Sequence, residues 1–171
     1  ASYIVSAISF KNEIISFYDN NDYCALKFNG GKIQFIVYDG GDVASLVTNA
    51  LYRDFSAWYH IVVAVDSTQS TSSDRIKIYV NNEQVAMTEE ALGYPGQNYE
   101  GAINKNVAHY IGANNGSEYF NGQMAHVNFV DGTAVAATNF GEVDDNGVWV
   151  PIEYTGSYGT NGFYLQFKQT G

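Results

Sequence analysis

Apolar and polar residues alternate with a period of two along most of this chain, and that pattern restricts what it can fold into. Residues 24–29 and 32–37 each alternate in this way, with Gly30 and Gly31 between them. Successive side chains of a β-strand point to opposite faces, so an alternating segment buries one face and exposes the other. Two such segments around a glycine turn predict a β-hairpin.

Turn signals divide the sequence into many short strands. Asn-Gly occurs five times and Asp-Gly twice, whereas the chain has only two prolines. Residues 58–65 form a nearly continuous, β-branched apolar segment, which predicts a central strand. Residues 133–140 are the only segment that predicts a helix, of one or two turns at most. We therefore predict an all-β sandwich or barrel with at most one short helix.

The length of 171 residues suits a single domain, which we place over residues 1–171. A globule of this size buries roughly 70% of its unfolded surface, which is enough for a core without a disulfide or metal. The chain begins with Ala1 in strand-like sequence and ends at Gly171 just after another strand-like segment. Such ends leave open that the chain is a segment of a longer polypeptide.

The charge balance excludes several partners. The chain carries a formal charge of −10, with eight Lys and Arg residues against eighteen Asp and Glu. Nucleic-acid binding needs clustered basic side chains, so we predict no nucleic-acid partner. No apolar segment approaches the roughly 18 residues of a membrane span, which predicts no membrane insertion. Cys24 is the single cysteine, so no disulfide can form within the chain, and we expect a partly buried thiol.

Two segments resemble the central hairpin of LamG-like and concanavalin-like domains. Residues 58–66 begin with Trp-Tyr-His and continue through valines to an acid, and residues 75–82 contain Ile-Lys-Ile-Tyr-Val-Asn. Asn82 stands where that family usually has glycine. Residues 109–112 and 119–127 resemble later segments of the same fold. The resemblance implies a jelly-roll sandwich of two antiparallel sheets.

The last part of the chain resembles a LamG-like variant found in virion proteins of tailed phages, especially marine ones. This resemblance is carried by residues 129–132, 139–142, 147–151 and 154–165. It implies a non-catalytic structural or adhesion module in a tail fibre, a tail tip or a capsid decoration. It also implies a virion or extracellular location, an oligomeric state in the particle, and virion proteins or host-surface glycans as partners. A lectin-like domain of a non-viral extracellular protein is the alternative.

Glycoside hydrolysis is the enzyme function to weigh against these, because it occurs on the same fold. It requires two carboxylates facing each other across a cleft, and jelly-roll glucanases carry them on one strand as Glu-x-Asp-x-x-Glu. The chain has no such motif. His60, His109 and His126 each lie inside a strand-like pattern, which favours a structural role. We therefore predict that the protein is not an enzyme.

Carbohydrate binding has a physical basis in this composition. Sugar sites combine an exposed aromatic ring with amide and acid side chains, and the chain has 14 amphipathic tyrosines. The longest irregular segment, residues 88–106, and the turn after residue 111 supply the candidate sugar-binding residues Tyr94, Gln97, Asn98, Tyr99, Asn114, Glu118 and Tyr119. For any one tyrosine, the alternative is a half-buried strand position. Trp58 and Trp149 are expected to pack rather than to bind a sugar.

No cofactor is required by the sequence, but calcium is a candidate. Related LamG-like domains sometimes bind it through loop carboxylates and carbonyls. Asp144, Asp145 and Asn146 offer hard oxygen ligands, and a second such cluster is residues 19–22. For both clusters the alternative is an ordinary turn.

Overall fold

The computed structural model describes residues 2–9, 13–19, 22–40, 42–54, 56–90, 93–103, 105–114 and 119–167. Its strands, in chain order, are β1 (Ser2–Ser9), β2 (Glu13–Asp19), β3 (Asp22–Asn29), β4 (Lys32–Asp39), β5 (Asp42–Thr48), β6 (His60–Asp66), β7 (Ile76–Val80), β8 (Glu83–Gln84), β9 (Met87–Glu90), β10 (Ala108–Ile111), β11 (Met124–Asp131), β12 (Gly141–Val143), β13 (Trp149–Pro151) and β14 (Phe163–Leu165). Helical structure in these residues is limited to two 3₁₀ turns, Ser72–Asp74 and Ala137–Asn139. No helix among them is long and apolar enough to cross a bilayer.

Twelve of the strands form two six-stranded sheets. Sheet A has the order β14-β11-β1-β6-β7-β8, and sheet B has the order β10-β2-β3-β4-β5-β9. The neighbouring strands pair antiparallel in both sheets. The remaining strands, β12 and β13, form a separate hairpin. The predicted jelly-roll sandwich of two antiparallel sheets is confirmed.

The local predictions hold at three places. The hairpin β3–β4 pairs Asn29 with Lys32 around Gly30 and Gly31, whose φ angles of +59° and +83° favour glycine. Strand β6 is central in sheet A, between β1 and β7. The predicted helix is only the 3₁₀ turn Ala137–Asn139, because the chain enters β12 two residues later.

The main hydrophobic core lies between the sheets. Sheet B contributes Cys24, Leu26, Ile33, Phe35, Val37, Ala44 and Leu46, and sheet A contributes Ile61, Val63, Val65, Ile76, Ile78, Val80, Val127 and Phe129. In each strand these residues alternate with residues that point outward, as the period of two requires. The Cys24 thiol is only 1% exposed, more buried than predicted, and burial raises its pKa.

A second hydrophobic cluster lies on the outer face of sheet A, which is defined by His60, Val62, Ala64, Tyr79 and Val130. Ala137, Phe140 and Tyr154, from the chain after β11, pack on Val62 and Val130. The Phe140 and Tyr154 rings are 5.0 Å apart between centroids. The C-terminal segment therefore covers this face and gives sheet A apolar contacts on both sides.

Candidate functional site

The outer face of sheet B is defined by Tyr23, Ala25, Lys27, Gln34, Ile36, Tyr38, Ser45, Val47 and Glu90. These residues alternate with the core residues of β3, β4, β5 and β9, so they point away from the core. One row across the sheet pairs Ala25 with Ile36, Ile36 with Ser45, and Ser45 with Glu90. None of these outward residues belongs to either hydrophobic cluster.

A hydrogen-bonded polar network lies at the centre of this face. The Gln34 Nε2 amide donates to Ser45 Oγ and to Glu90 Oε2, each at 3.1 Å, and Ser45 Oγ donates to the same carboxylate oxygen at 3.3 Å. Asn29 Nδ2 donates to Gln34 Oε1 at 3.1 Å. Gln34 and Ser45 are only 6% and 4% exposed, whereas Glu90 is exposed. The network therefore fixes the orientation of an exposed carboxylate from below.

Two tyrosines lie on the same face, one outward position along the strands from the row that contains Glu90. Tyr23 and Tyr38 are directly opposite each other in the register of β3 and β4. Their rings stack with centroids 5.3 Å apart and planes 17° apart, and both side chains are half-buried. This face thus carries aromatic surface, an amide and a carboxylate, which are the groups that a sugar ring with hydroxyl groups requires.

Residues 5–139 match the concanavalin A-like lectin/glucanases superfamily. The chain belongs to this superfamily. No curated protein matches it. The match includes every strand of sheet B and ends in the second 3₁₀ turn, so most of the segment that covers the outer face of sheet A lies beyond the superfamily match.

The predicted loop around Tyr94 and Tyr99 covers one end of the sandwich. Both tyrosines pack against the main core, and Ala102 and Ile103 after them are part of that core. The Tyr99 hydroxyl donates to Asp39 Oδ2 at 3.2 Å, and burial followed by the nearby Asp39 carboxylate raises the Tyr99 pKa. Burial, followed by Glu89, raises the Tyr94 pKa as well. These rings contribute packing surface here, and their predicted sugar contacts stay a prediction.

Gln97 and Asn98 lie at the exposed part of the same loop. Gln97 Nε2 donates to the Thr68 carbonyl at 2.9 Å, and the Asn98 backbone amide donates to the Ser67 carbonyl at 2.7 Å. These bonds attach the loop to the β6–β7 connection of sheet A. Asn98 has a φ of +59°, a left-handed conformation that asparagine accepts more readily than most residues. Their sugar-binding role also stays a prediction.

In the second predicted group, Asn114 and Tyr119 lie outside the strands of sheet B. Asn114 is half-buried near the end of β10, and Tyr119 is 69% exposed. Glu118 lies outside the described residues. The high exposure of Tyr119 is compatible with the predicted ring contact, which stays a prediction.

The predicted calcium ligands lie in the turn between β12 and β13. Asp144 Oδ1 accepts the backbone amides of Val148 at 2.8 Å and Asn146 at 2.9 Å, and Asn146 Nδ2 donates to Asp144 Oδ2 at 3.3 Å. The hydrogen bond from the Val148 amide is the main cause of the lowered Asp144 pKa. These contacts form an Asx turn. Calcium binding by these residues stays a prediction. Asp145 is exposed.

No group of three or more His, Cys, Asp or Glu side chains that could hold a metal is present in the part of the chain that the structure describes. In the second predicted cluster, Asn20 and Asn21 lie outside the described residues. Asp22 pairs with Lys105 Nζ at 3.4 Å.

The histidine and tryptophan predictions have mixed outcomes. His60 is 4% exposed, and its Nδ1 accepts a hydrogen bond from Trp149 Nε1 at 2.9 Å, so both residues have the packing role that was predicted. Burial, followed by the charge of His126, lowers the His60 pKa to about 4. Trp58, which was also predicted to pack, is 49% exposed and so is less buried than a core residue. It lies two residues before β6, which begins at His60.

The Gln34–Ser45–Glu90 network was not predicted from the sequence. Gln34 was recognised only as a polar residue of an alternating strand, which most often faces water. Its partner Glu90 is 56 residues away along the chain. The available signal was that an amide, a hydroxyl and a carboxylate each occupy outward positions on separate strands, but their adjacency depends on the strand order.

Proposed function

We propose that this member of the concanavalin A-like superfamily is a non-catalytic carbohydrate-binding module, and that the outer face of sheet B is its sugar-binding surface. The observation that carries the proposal is the buried amide of Gln34, which orients the exposed Glu90 carboxylate on the same face as the stacked tyrosines. Gln34 is 6% exposed and its amide takes part in three hydrogen bonds, so the position of the Glu90 carboxylate is fixed by a buried group.

The chemistry of the face suits a neutral sugar. The Glu90 carboxylate accepts hydrogen bonds from sugar hydroxyls, and the exposed Asn29 amide and the Lys27 ammonium group donate to them. The half-buried rings of Tyr23 and Tyr38 contact the apolar C–H face of the sugar. Because the network holds Glu90 before a ligand arrives, little conformational entropy is lost on binding.

A non-catalytic role fits the carboxylates of this face. Glycoside hydrolysis needs an acid and a second carboxylate roughly 5–10 Å apart across the scissile bond. Among the outward residues of β3, β4, β5 and β9 that define this face, Glu90 carries the carboxylate, and Glu13 of β2 is paired in register with Lys27. Glu90 accepts two hydrogen bonds from neutral donors, which favours a binding role.

The biological setting we propose is a phage particle, in a tail fibre, a tail tip or a capsid decoration, where the module is oligomeric and adheres to host-surface glycans. The support is the resemblance of the tail segments in residues 129–165 to phage virion proteins. A lectin-like domain of a non-viral extracellular protein is the alternative setting, and it uses the same face.

Attachment to other proteins of a particle is a second candidate function. It is favoured by the exposed apolar side chains of Leu165, at the end of edge strand β14, and of Phe167, which are 38% and 53% exposed. An edge strand flanked by apolar side chains is suited to pairing with a strand of another chain.

A glycan array with the isolated 171-residue domain, with and without calcium, is the first experiment. The best sugar is then titrated against the parent and against Glu90→Gln. We expect Glu90→Gln to weaken binding roughly tenfold, since it removes charge-assisted hydrogen bonds to hydroxyls while keeping an oxygen acceptor for Gln34 and Ser45.

The matched control is Glu142→Gln, which removes the same charge from an exposed residue of β12. Binding by this control should equal that of the parent. A folded domain that binds nothing on the array, or a Glu90→Gln variant with unchanged affinity, would overturn the proposal and favour protein attachment.

A further inference from the structure

The two lateral edges of the sandwich differ. At one edge the chain passes directly from β8 of sheet A to β9 of sheet B, and Val85 and Met87 pack against the core there. At the other edge, strands β14 and β10 are the end strands of sheets A and B. A cleft with a volume of about 490 Å³ opens there, lined among others by Lys105, Asn106, His109, Phe129, Asn161 and Phe163.

We propose that this cleft is a second ligand site, distinct from the outer face of sheet B, and that it binds a monosaccharide-sized ring bearing a carboxylate, as in the uronic acid units of anionic polysaccharides. A volume of this size lies within the range typical of small-molecule sites. The proposal does not depend on sugar binding by the outer face of sheet B.

The floor of the cleft is aromatic. Phe129 of β11 and Phe163 of β14 are paired in the sheet register, and their rings stack with centroids 5.6 Å apart. Phe129 is 2% exposed, whereas Phe163 is half-buried, so the Phe163 ring supplies the accessible surface. An aromatic face of this kind packs against the apolar C–H face of a sugar ring.

The charge of the lining is opposite to that of the whole chain. The chain has a net charge of −10, yet the lining residues that the structure describes include Lys105 and His109 and no Asp or Glu. Two nearby acids are engaged by the lining residues themselves. Asp131 Oδ2 accepts the backbone and side-chain amides of Asn161 at 3.2 Å, and Asp22 pairs with Lys105. These contacts hold the amide and the ammonium group at the cleft.

The basic groups are positioned for an anionic substituent. The Lys105–Asp22 ion pair is long, at 3.4 Å, and the Lys105 side chain is 39% exposed, so a ligand carboxylate can share its ammonium group. His109 Nδ1 donates to the Val107 carbonyl at 2.6 Å, which fixes the orientation of the imidazole ring on edge strand β10. Asn106 and Asn161 bring amide groups for ring hydroxyls.

The test is an NMR titration of the whole domain with D-glucuronate and, separately, with D-glucose, which has the same ring without the carboxylate. We expect glucuronate to shift the resonances of His109 and Phe163, and glucose to bind at least fivefold more weakly, on the order expected for one charge-assisted contact. Equal affinity for the two sugars, or glucuronate shifts that map away from the cleft, would overturn the proposal.

Variants sharpen the assignment. Lys105→Gln should raise the Kd for glucuronate roughly tenfold, whereas Lys77→Gln, which breaks another lysine ion pair at 3.0 Å, should leave it unchanged. If Lys105→Gln does not fold, His109→Gln is titrated in its place, and an unchanged Kd would overturn the proposal. Glu90→Gln must not alter glucuronate binding at the cleft, so failure here and failure of the outer face of sheet B are distinguishable.

Discussion

The outer faces of the two sheets differ in what their residues contact. On sheet A, Val62 and Val130 are covered by the C-terminal segment and form a hydrophobic cluster with Phe140 and Tyr154. On sheet B, the outward residues form a hydrogen-bonded network and a tyrosine stack, and none of them joins a hydrophobic cluster. One outer face therefore contributes mainly to stability, whereas the other is chemically suited to a ligand.

The strand sequences explain the difference. In β6, apolar residues occupy both parities, as Ile61, Val62 and Val63 show, so the strand must be covered on both sides. In β3 and β4 the outward parity is mixed, because Lys27 and Gln34 share it with Ala25 and Ile36. The polar side chains at these positions need hydrogen-bond partners where they are buried, because burying unpaired polar groups costs free energy.

The largest expected effect comes from the outer face of sheet A. Phe140→Ala removes a ring that is 1% exposed and should lower the free energy of unfolding by roughly 3–5 kcal/mol. Urea unfolding followed by tryptophan fluorescence measures the loss. Val143→Ala, three residues away and 61% exposed, is the matched control and should change stability by less than about 0.5 kcal/mol. Equal effects of the two variants would show that the C-terminal segment does not stabilise this face.

Acid should destabilise the same face through His60. Its folded pKa of about 4 lies below the ordinary histidine value of 6.5, so the unfolded chain takes up a proton first as the pH falls. This stability is fully present above the unfolded pKa and is lost between about pH 6.5 and 4, by at most roughly 3 kcal/mol. Protonation of Nδ1 also removes the acceptor for Trp149 Nε1.

Unfolding free energies measured from pH 7 to pH 4 test this effect. His60→Gln should remove much of the slope, whereas His109→Gln, on an exposed histidine, should keep it. A parent and a His60→Gln variant with the same slope would assign the acid sensitivity to other groups.

The smallest expected effect comes from the outer face of sheet B. Tyr23→Leu and Tyr38→Leu each remove one ring of the same stacked pair. Each should lower the free energy of unfolding by about 0.5–1 kcal/mol. A double-mutant cycle measured by urea unfolding should give a coupling energy of similar size. A loss of several kcal/mol would instead mean that this face, like that of sheet A, is a structural surface.

Much of the fold followed from local pattern. Alternation and turn residues predicted the β3–β4 hairpin, the central strand β6 and the near absence of helix, because each depends on neighbours within a few residues. Trp58 is more exposed than a core residue, and it lies just before β6 begins, where no strand pleat directs its side chain. The packing of residues 137–154 on sheet A was not predicted, because it depends on contacts between distant segments.

Less of the candidate site could be predicted from the sequence. Composition indicated sugar binding and predicted the loop around Tyr94 and Tyr99 as the site, but those rings also pack against the core. Long irregular segments are often functional, yet this one also closes the end of the sandwich. The outer face of sheet B was missed because its polar residues come from four strands, each unremarkable by itself.

The sequence by itself determined the class of structure, an all-β chain of mostly alternating strands, and the low basic content that disfavours nucleic acid. Only the tertiary structure decided that Gln34, Ser45 and Glu90 meet and that β10 and β14 leave a cleft between the sheets. The physical reason is that side-chain periodicity is a local property of the backbone. Which outward residues become neighbours depends instead on strand order, and that order is set by the packing of the whole sandwich.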